Sequence, residues 1–323
     1  MILVTGGTGF IGRKLVAALA ETGGVVRVLT RNPASAADLP AAVEIRKGDL
    51  LDPRSFDDAL EGVATIIHLG AVVLESGMTP EMFRVNVEGT RNLARAGRAR
   101  GITVFIHCSS AGVYGNGTSE IPHAETAPPV PQSDYERSKF ESERTLIDAL
   151  DGSAVRWTIL RPTGVHGPGR PATLSFYRMI QRKKVWVHGP ARVIVHPTYL
   201  DDLVQGIQLV LDRADIAGET FNIGGERAIA YPRLIETVAH VLNRRVVQIT
   251  PFPGAIRAGA GLLGGVMHGI GSEPSRFVKR LANPVVNRAV DISKARRELG
   301  FEPVGLEAGV RETVDWFRGH GSL

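Results

Sequence analysis

A single cysteine, Cys108, stands in the 323-residue chain. No internal disulfide is possible, and a reducing, cytoplasmic compartment is expected. Long apolar runs are absent too: the most hydrophobic window, residues 258–268 (AGAGLLGGVMH), falls well short of the roughly 18–20 residues a membrane-spanning helix needs. No basic segment precedes an apolar stretch at the start, so no signal peptide is expected. Aromatics are scarce at 6% and like charges never run to five in a row, which disfavours a nucleic-acid groove. His166, His188 and His196 lack metal-ligand spacing with any cysteine, so no metal site is expected. What remains is an ordinary globular balance of 43% hydrophobic and 22% charged residues, in a chain long enough for two domains or for one large α/β domain with an appendage. The net charge of +5 is uneven, −3 over residues 1–160 and +8 over the rest, which suits a basic pocket for an anionic small molecule late in the chain.

The first half alternates short β-branched runs with amphipathic stretches, as βαβ units around a parallel sheet do. Strands are expected at Ile2–Thr5, Val25–Thr30, Val43–Arg46, Thr65–Leu69, Val104–Ser109 and Thr158–Arg161. Helices are expected at Ile11–Ala20, Pro53–Leu60, Met82–Arg100 and Tyr135–Leu150. Together they predict a doubly wound parallel sheet, a Rossmann fold. From Gly164 onward, Gly/Pro-rich segments such as GVHGPGRP break the alternation. A dinucleotide-binding domain over 1–163 is therefore expected, with a smaller substrate-capping region over 164–323 interleaved with the last sheet strands.

The dinucleotide assignment rests on Gly6, Gly9 and Gly12, which follow the first strand and open a helix (GGTGFIG). A tight strand-to-helix turn, bare backbone against a pyrophosphate and close helix–strand packing each need a glycine, and the helix N-terminus then presents free N–H groups to the phosphates. At the end of the second strand, where an acid often holds the ribose, stands Arg31. A guanidinium there pairs with a 2′-phosphate, which favours NADP(H); NAD(H) held through Asn32 is the alternative. Asp49, after the third strand, is placed either near the adenine amine or as a turn-capping residue.

Tyr135 and Lys139 are spaced i, i+4 on one helix face, and Ser110 follows a strand at the carboxyl edge where open α/β sheets bind ligands. A phenol with an ordinary pKa near 10 is a poor base at neutral pH. Lys139, one turn away, together with a cationic nicotinamide, would favour the phenolate, while Ser110 would hold a substrate oxygen against it.

These segments resemble the extended short-chain dehydrogenase/reductase family, which contains sugar-nucleotide epimerases, dehydratases and hydroxysteroid or dihydroflavonol reductases. The resemblance runs through TGGTGFIG (5–12), GDL (48–50), HLGA (68–71), NVEGT (86–90), SSAGVYG (109–115), YERSK (135–139), LRPTGVHGPG (160–169), HPTYLDDL (196–203), FNIGG (221–225) and DISKARRELGFEP (291–303). It implies a catalytic triad of Ser110, Tyr135 and Lys139. It also implies cofactor contacts at Gly6, Gly9, Phe10, Ile11, Gly12, Arg31, Asp49, Leu50, Leu69, Gly70, Ala71, Asn86, Tyr135, Lys139 and Pro162. Substrate contacts are expected at Ser110, Tyr135, Arg192 and His196. A homodimer built on the helices at 82–100 and 135–150 is implied as well.

Ala111 and Gly112 stand where dehydrating relatives carry acids, which disfavours a dehydratase. Gly164 and His166 depart from the epimerase pattern Arg-Pro-x-Asn-x-Tyr-Gly-Pro. The stretch 251–284 looks like the helical insertion of steroid-type relatives, which would roof an apolar substrate or else serve as a dimer contact or ordinary packing. Arg170, Arg192, Arg227 and Arg276 instead suit a diphosphate. The expected function is hydride transfer between nicotinamide and a secondary alcohol or ketone; the alternatives are a sugar-nucleotide epimerase and a non-catalytic dinucleotide sensor. His68 and His107, in apolar strands, are read as hydrogen-bonded core histidines.

Overall fold

The computed structural model describes residues 1–73, 80–117, 121–187, 192–249 and 285–323. Seven strands form one all-parallel sheet: β1 (Ile2–Thr5), β2 (Val26–Thr30), β3 (Glu44–Lys47), β4 (Thr65–His68), β5 (Val104–Cys108), β6 (Arg156–Pro162) and, from much later in the chain, a strand at Glu219–Ile223. The order across the sheet is β3-β2-β1-β4-β5-β6 followed by that late strand. The winding reverses between β1 and β4, and ligands of doubly wound folds bind outside the carboxyl ends of the strands at such a point.

Alternating residues feed two cores, because successive side chains of a strand face opposite ways. Val4, Ile67, Ile106 and Leu160 pack on the side of helix α1 (Phe10–Glu21). Leu3, Ile66, Phe105 and Ile159 pack on the other side, with Leu93 and Leu146. Those two leucines belong to helices α3 (Gly89–Ala99) and α4 (Asp134–Leu150), which follow a short helix α2 (Pro80–Phe83).

Two expected helices differ from the structure. Residues 53–60 form two 3-10 turns, Pro53–Phe56 and Asp58–Leu60, in place of an α-helix. The Asp52 side chain accepts from Arg54 N at 3.2 Å and tightens the turn, while Phe56 is pinned in the core. The helix expected from Met82 starts at Pro80 and passes through a π-helical segment, Arg84–Glu88, before α3. Asn86 therefore lies inside a helical run.

After β6 the chain makes β7 (Val165–His166), α5 (Pro171–Arg182), β8 (Val185–Val187), β9 (Arg192–Val195), β10 (Thr198–Tyr199) and α6 (Leu200–Leu211). The late sheet strand is β11, followed by β12 (Ile229–Ala230), α7 (Tyr231–Val241), β13 (Val247–Ile249), β14 (Val285–Asn287), α8 (Ser293–Leu299) and α9 (Leu306–Gly319). Small sheets join β10 to β7, β12 and β14 to β9, and β13 to β8. A third core of Tyr177, Ile180, Ile235, Val238, Val310 and Phe317 binds α5, α7 and α9 together. The apolar insertion at 251–284, with Arg276, and His188 lie outside the described residues. Among the described residues no helix is long and apolar enough to cross a membrane.

Candidate active site

The glycine loop leaves no room for side chains. Gly6 has φ +70°, and a Cβ on it would meet Gly70 N at 2.8 Å. A Cβ on Gly12 would lie 2.1 Å from Gly6 O. The backbone folds back through Gly9 N, which donates to Gly6 O at 3.0 Å, and Gly9 is the N-cap of α1. Phe10 and Ile11 form the first turn of that helix. Its N–H groups face a cradle that only glycine can line, so the residues present fit a dinucleotide pyrophosphate.

Around this loop, Gly70 N donates to Thr5 Oγ1 at 3.1 Å, which places Leu69, Gly70 and Ala71 beside β1 at the point where the winding reverses. Leu50 lies against both Gly70 and Gly89. Asp49 Oδ1 accepts from Leu51 N at 3.0 Å and shapes the turn after β3. Arg31 is exposed at the end of β2, and Asn32 Oδ1 is taken up by Ala34 N at 3.2 Å. Pro162 closes β6, paired with Ile223.

Helix α4 starts with a capping box. Glu136 N donates to Ser133 Oγ at 3.2 Å and Ser133 N returns to Glu136 Oε2 at 2.9 Å. This cap fixes the first turn, which carries Tyr135; Lys139, one turn on, is 2% exposed. Opposite, β5 ends at Cys108. Ser110 then caps a 3-10 turn, Ala111–Tyr114, its Oγ accepting from Gly112 N at 3.0 Å. Asn86 joins these parts: its Oδ1 accepts from Val72 N at 2.8 Å, and its Nδ2 donates to Val72 O at 3.1 Å and to Ser138 Oγ at 2.9 Å. It thus serves the loop after β4, and Ser138 is its bridge to the α4 backbone.

Burial dominates the electrostatics. It pushes the Tyr135 phenol above the ordinary tyrosine value; proximity to Cys108 adds to this and Arg170 opposes it. Burial lowers the Lys139 ammonium, and Cys108 and Glu143 partly offset that. Behind Lys139 stand two stacked imidazoles, His68 and His107, with ring centroids 5.2 Å apart. Burial first and Lys139 second pull His68 down to about 3, and His107 falls well below its usual value for the same reasons. His68 bridges Thr5 Oγ1 at 2.6 Å and Thr90 Oγ1 at 3.0 Å, and His107 Nε2 reaches Ser142 Oγ at 3.0 Å, as hydrogen-bonded core histidines do.

Beneath the 3-10 turn lies an ion pair that sequence reasoning missed. Arg161, on β6, binds Glu143 of α4 through two bonds of 2.9 and 2.7 Å and donates to Tyr114 Oη at 2.8 Å. Tyr114 Oη in turn donates to Asn222 Oδ1 on β11 at 2.9 Å. The signal was available: Glu143 continues the Tyr135/Lys139 face by one more turn, and Arg161 is a charge ending an apolar strand.

His196 is buried, with Nε2 on Gly225 O at 2.9 Å and Nδ1 accepting from Val290 N at 3.3 Å. Both ring nitrogens serve backbone, so the ring ties β11 to the C-terminal segment. Arg192 contributes backbone to β9, paired with Val285. A cavity of about 500 Å³ is lined by His166, Tyr199, Arg227, Arg233 and Leu306 among others; Ser110, Tyr135 and Lys139 are not among its walls.

The model of the NAD dependent epimerase/dehydratase family matches residues 2–224. The chain belongs to that family. It is an NAD-dependent oxidoreductase of the extended short-chain dehydrogenase/reductase type. Sterol demethylase protein B of Methylococcus capsulatus is 34% identical, with 99% of each chain covered. A sterol-4-alpha-carboxylate 3-dehydrogenase, decarboxylating, of Candida albicans is 27% identical over 98% of this chain and 97% of its own. A short-chain dehydrogenase/reductase superfamily protein from Agrobacterium tumefaciens, solved with bound NAD, superposes with a TM-score of 0.78 at 26% identity, covering 100% of this chain and 98% of that one.

Proposed function

We propose that this family member is a secondary-alcohol dehydrogenase or ketone reductase with Tyr135 as acid/base, Lys139 as its electrostatic partner and Ser110 as the group that orients the substrate oxygen. The observation that carries this reading is helix α4, whose capped first turn carries Tyr135 with buried Lys139 one turn on, and whose Glu136 lies against Gly112 in the turn that Ser110 caps. Bound dinucleotide supplies the hydride acceptor in oxidation and the donor in reduction, and a cationic ring in its oxidised form.

In oxidation, Tyr135 takes the hydroxyl proton as the carbinol carbon loses its hydride; in reduction, the phenol returns that proton to the new alkoxide. Burial makes Tyr135 a reluctant base in the protein alone, so positive charge around its oxygen is what the chemistry needs. Lys139, dry and fixed, supplies one such charge. Tyr135→Phe removes the transferable proton and leaves the glycine loop untouched. Turnover of dinucleotide with a secondary alcohol is expected to fall by about 10²–10⁴-fold with cofactor affinity retained. Full activity in the variant would refute the assignment. A wild-type enzyme that inverts an alcohol with no net consumption of dinucleotide would instead make it an epimerase.

NADP(H) is the finer part of the proposal. Exposed Arg31 supports it, since among the described residues Arg31 makes no ion pair that would compete with a 2′-phosphate. Arg31→Ala is expected to weaken NADPH binding about tenfold while leaving NADH binding nearly unchanged, as read by titration calorimetry. Equal effects on the two would contradict it.

A further inference from the structure

β8 and β13 form a two-stranded parallel sheet with Val185 opposite Val247 and Val187 opposite Ile249, and Val247 N donates to Lys184 O at 2.9 Å. Paired residues of neighbouring strands point the same way, and the next residue along each strand points the other way. The inner face carries Trp186, buried in the third core, and Gln248, whose Nε2 donates to Pro232 O on α7 at 3.1 Å. The outer face is open to solvent: Val185 is 46% exposed, Val247 59% and Ile249 46%. Parallel strands are ordinarily covered on both faces. This pair is covered on one.

Cations edge the same corner. Arg182 ends α5, Lys183 and Lys184 lead into β8, and Arg244 and Arg245 lead toward β13. Asn243, at φ +55°, and the bond from Arg244 N to Ala239 O at 2.8 Å close α7, so the chain turns there and brings both arginines to the start of the strand. All five cations are exposed, and among the described residues none makes an ion pair. Residues 181–187 and 243–249 contain no acid. Glu236 of α7, which Gln248 Nε2 also reaches at 3.1 Å, is paired with Arg233.

Basic residues at the ends of α5 and α7 complement the helix dipoles. That gives no reason for three aliphatic side chains standing in water beside them. Aliphatic groups edged by cations and free of acids match the surface of an anionic bilayer, where lipid phosphates lie above acyl chains. Single-stranded nucleic acid offers the charge but is gripped by stacking on exposed aromatic rings, and the aromatic of this corner, Trp186, is buried.

We propose that the β8–β13 corner docks the protein on an anionic phospholipid bilayer, with its three aliphatic side chains entering the headgroup layer and its five cations binding lipid phosphates. The contact is peripheral and stands apart from the hydride-transfer reading.

The test is co-sedimentation of the full chain with vesicles of phosphatidylcholine alone and of phosphatidylcholine containing about 30% phosphatidylglycerol. Wild type is expected to partition at least about 100-fold more strongly onto the anionic vesicles, and to lose most of that preference at high salt. Lys184→Ala combined with Arg245→Ala is expected to weaken binding about 25-fold. Val247→Thr combined with Ile249→Thr keeps every charge and the β-branching, and is expected to weaken it about tenfold. The urea midpoints of both variants are expected to match wild type, because the altered side chains face solvent. Equal partitioning onto the two vesicles, binding to neither, or binding unchanged in both variants overturns the proposal. A DNA oligonucleotide that displaces the vesicles and binds the threonine variant as tightly as wild type overturns it by assigning the corner to nucleic acid. A wild-type dimer that the threonine variant loses in sedimentation velocity overturns it by assigning the aliphatic face to a second copy of the chain. A lowered urea midpoint in the threonine variant overturns it by assigning that face to the fold.

Discussion

Glu143 shows how much depends on one carboxylate away from the reacting atoms. It is 2% exposed, and its two bonds to Arg161 hold α4 against β6 directly below the Tyr114 turn. Burial works against the Arg161 cation, but Glu143 and the Tyr114 oxygen outweigh it and raise its pKa. Removing one partner of such a pair strands the other charge in the core. Glu143→Ala is expected to lower unfolding free energy by about 3–5 kcal/mol, measurable by urea denaturation, and a change within error would contradict the structural role. The pair was hard to read from sequence because its members are 18 positions apart, on different elements. Tyr135 and Lys139, by contrast, were legible as a pair because helical periodicity alone brings them together. Arg170 was legible only as one of several arginines; its contacts with Val165 O and the Phe10 ring depend on how the GPGRP segment returns from β7 to α5.

Among the elements, the β1–α1 turn was the most legible, since its three glycines are demanded by backbone contact and not by distant packing. Gly12→Ala tests this directly. A Cβ placed 2.1 Å from Gly6 O forces the loop apart. Dinucleotide affinity is expected to fall at least about tenfold, accompanied by about 1–3 kcal/mol of lost stability from overpacking, with calorimetry and denaturation as the readouts. Native affinity in the variant would show that the loop does not form the cradle described. Most sheet strands lay within one or two residues of their expected bounds because apolar β-branched runs covered on both faces have few other solutions. The π-helical segment at Arg84–Glu88 carried no comparable signal. Asn86 within it bonds Val72 and Ser138, which are tertiary contacts that local sequence does not display. The Pro53–Leu60 error has a similar source: Pro53 and the capping Asp52 suit a 3-10 turn as well as an α-helix.

At the scale of the whole molecule, the stacked imidazoles give folding a pH dependence. His68 and His107 are buried and neutral, with pKa values held far below the ordinary 6.5 by desolvation. Above that value both folded and unfolded chains carry neutral rings, and stability is unaffected. Below it the unfolded chain takes up protons the folded core refuses, so stability is lost as pH falls toward the depressed folded values. Asp202 acts in the opposite sense, because burial raises its carboxyl to about 6 and its protonation between that value and the ordinary range relieves strain on the fold. Two imidazoles outweigh one carboxyl. The urea midpoint is therefore expected to drop between pH 7 and pH 5, with each imidazole contributing about 2 kcal/mol; a midpoint that holds or rises would contradict their neutral burial.

Deuterium placed on the carbinol carbon of a secondary-alcohol substrate gives the most direct test of hydride transfer assisted by Tyr135, with mass spectrometry of the recovered dinucleotide and product as the readout. Wild-type protein is expected to deliver the label to the dinucleotide and release unlabelled ketone, and Tyr135→Phe with dinucleotide bound to leave the label on the alcohol. Label found back on a product alcohol of inverted configuration, or transfer by Tyr135→Phe at the wild-type rate, would contradict it.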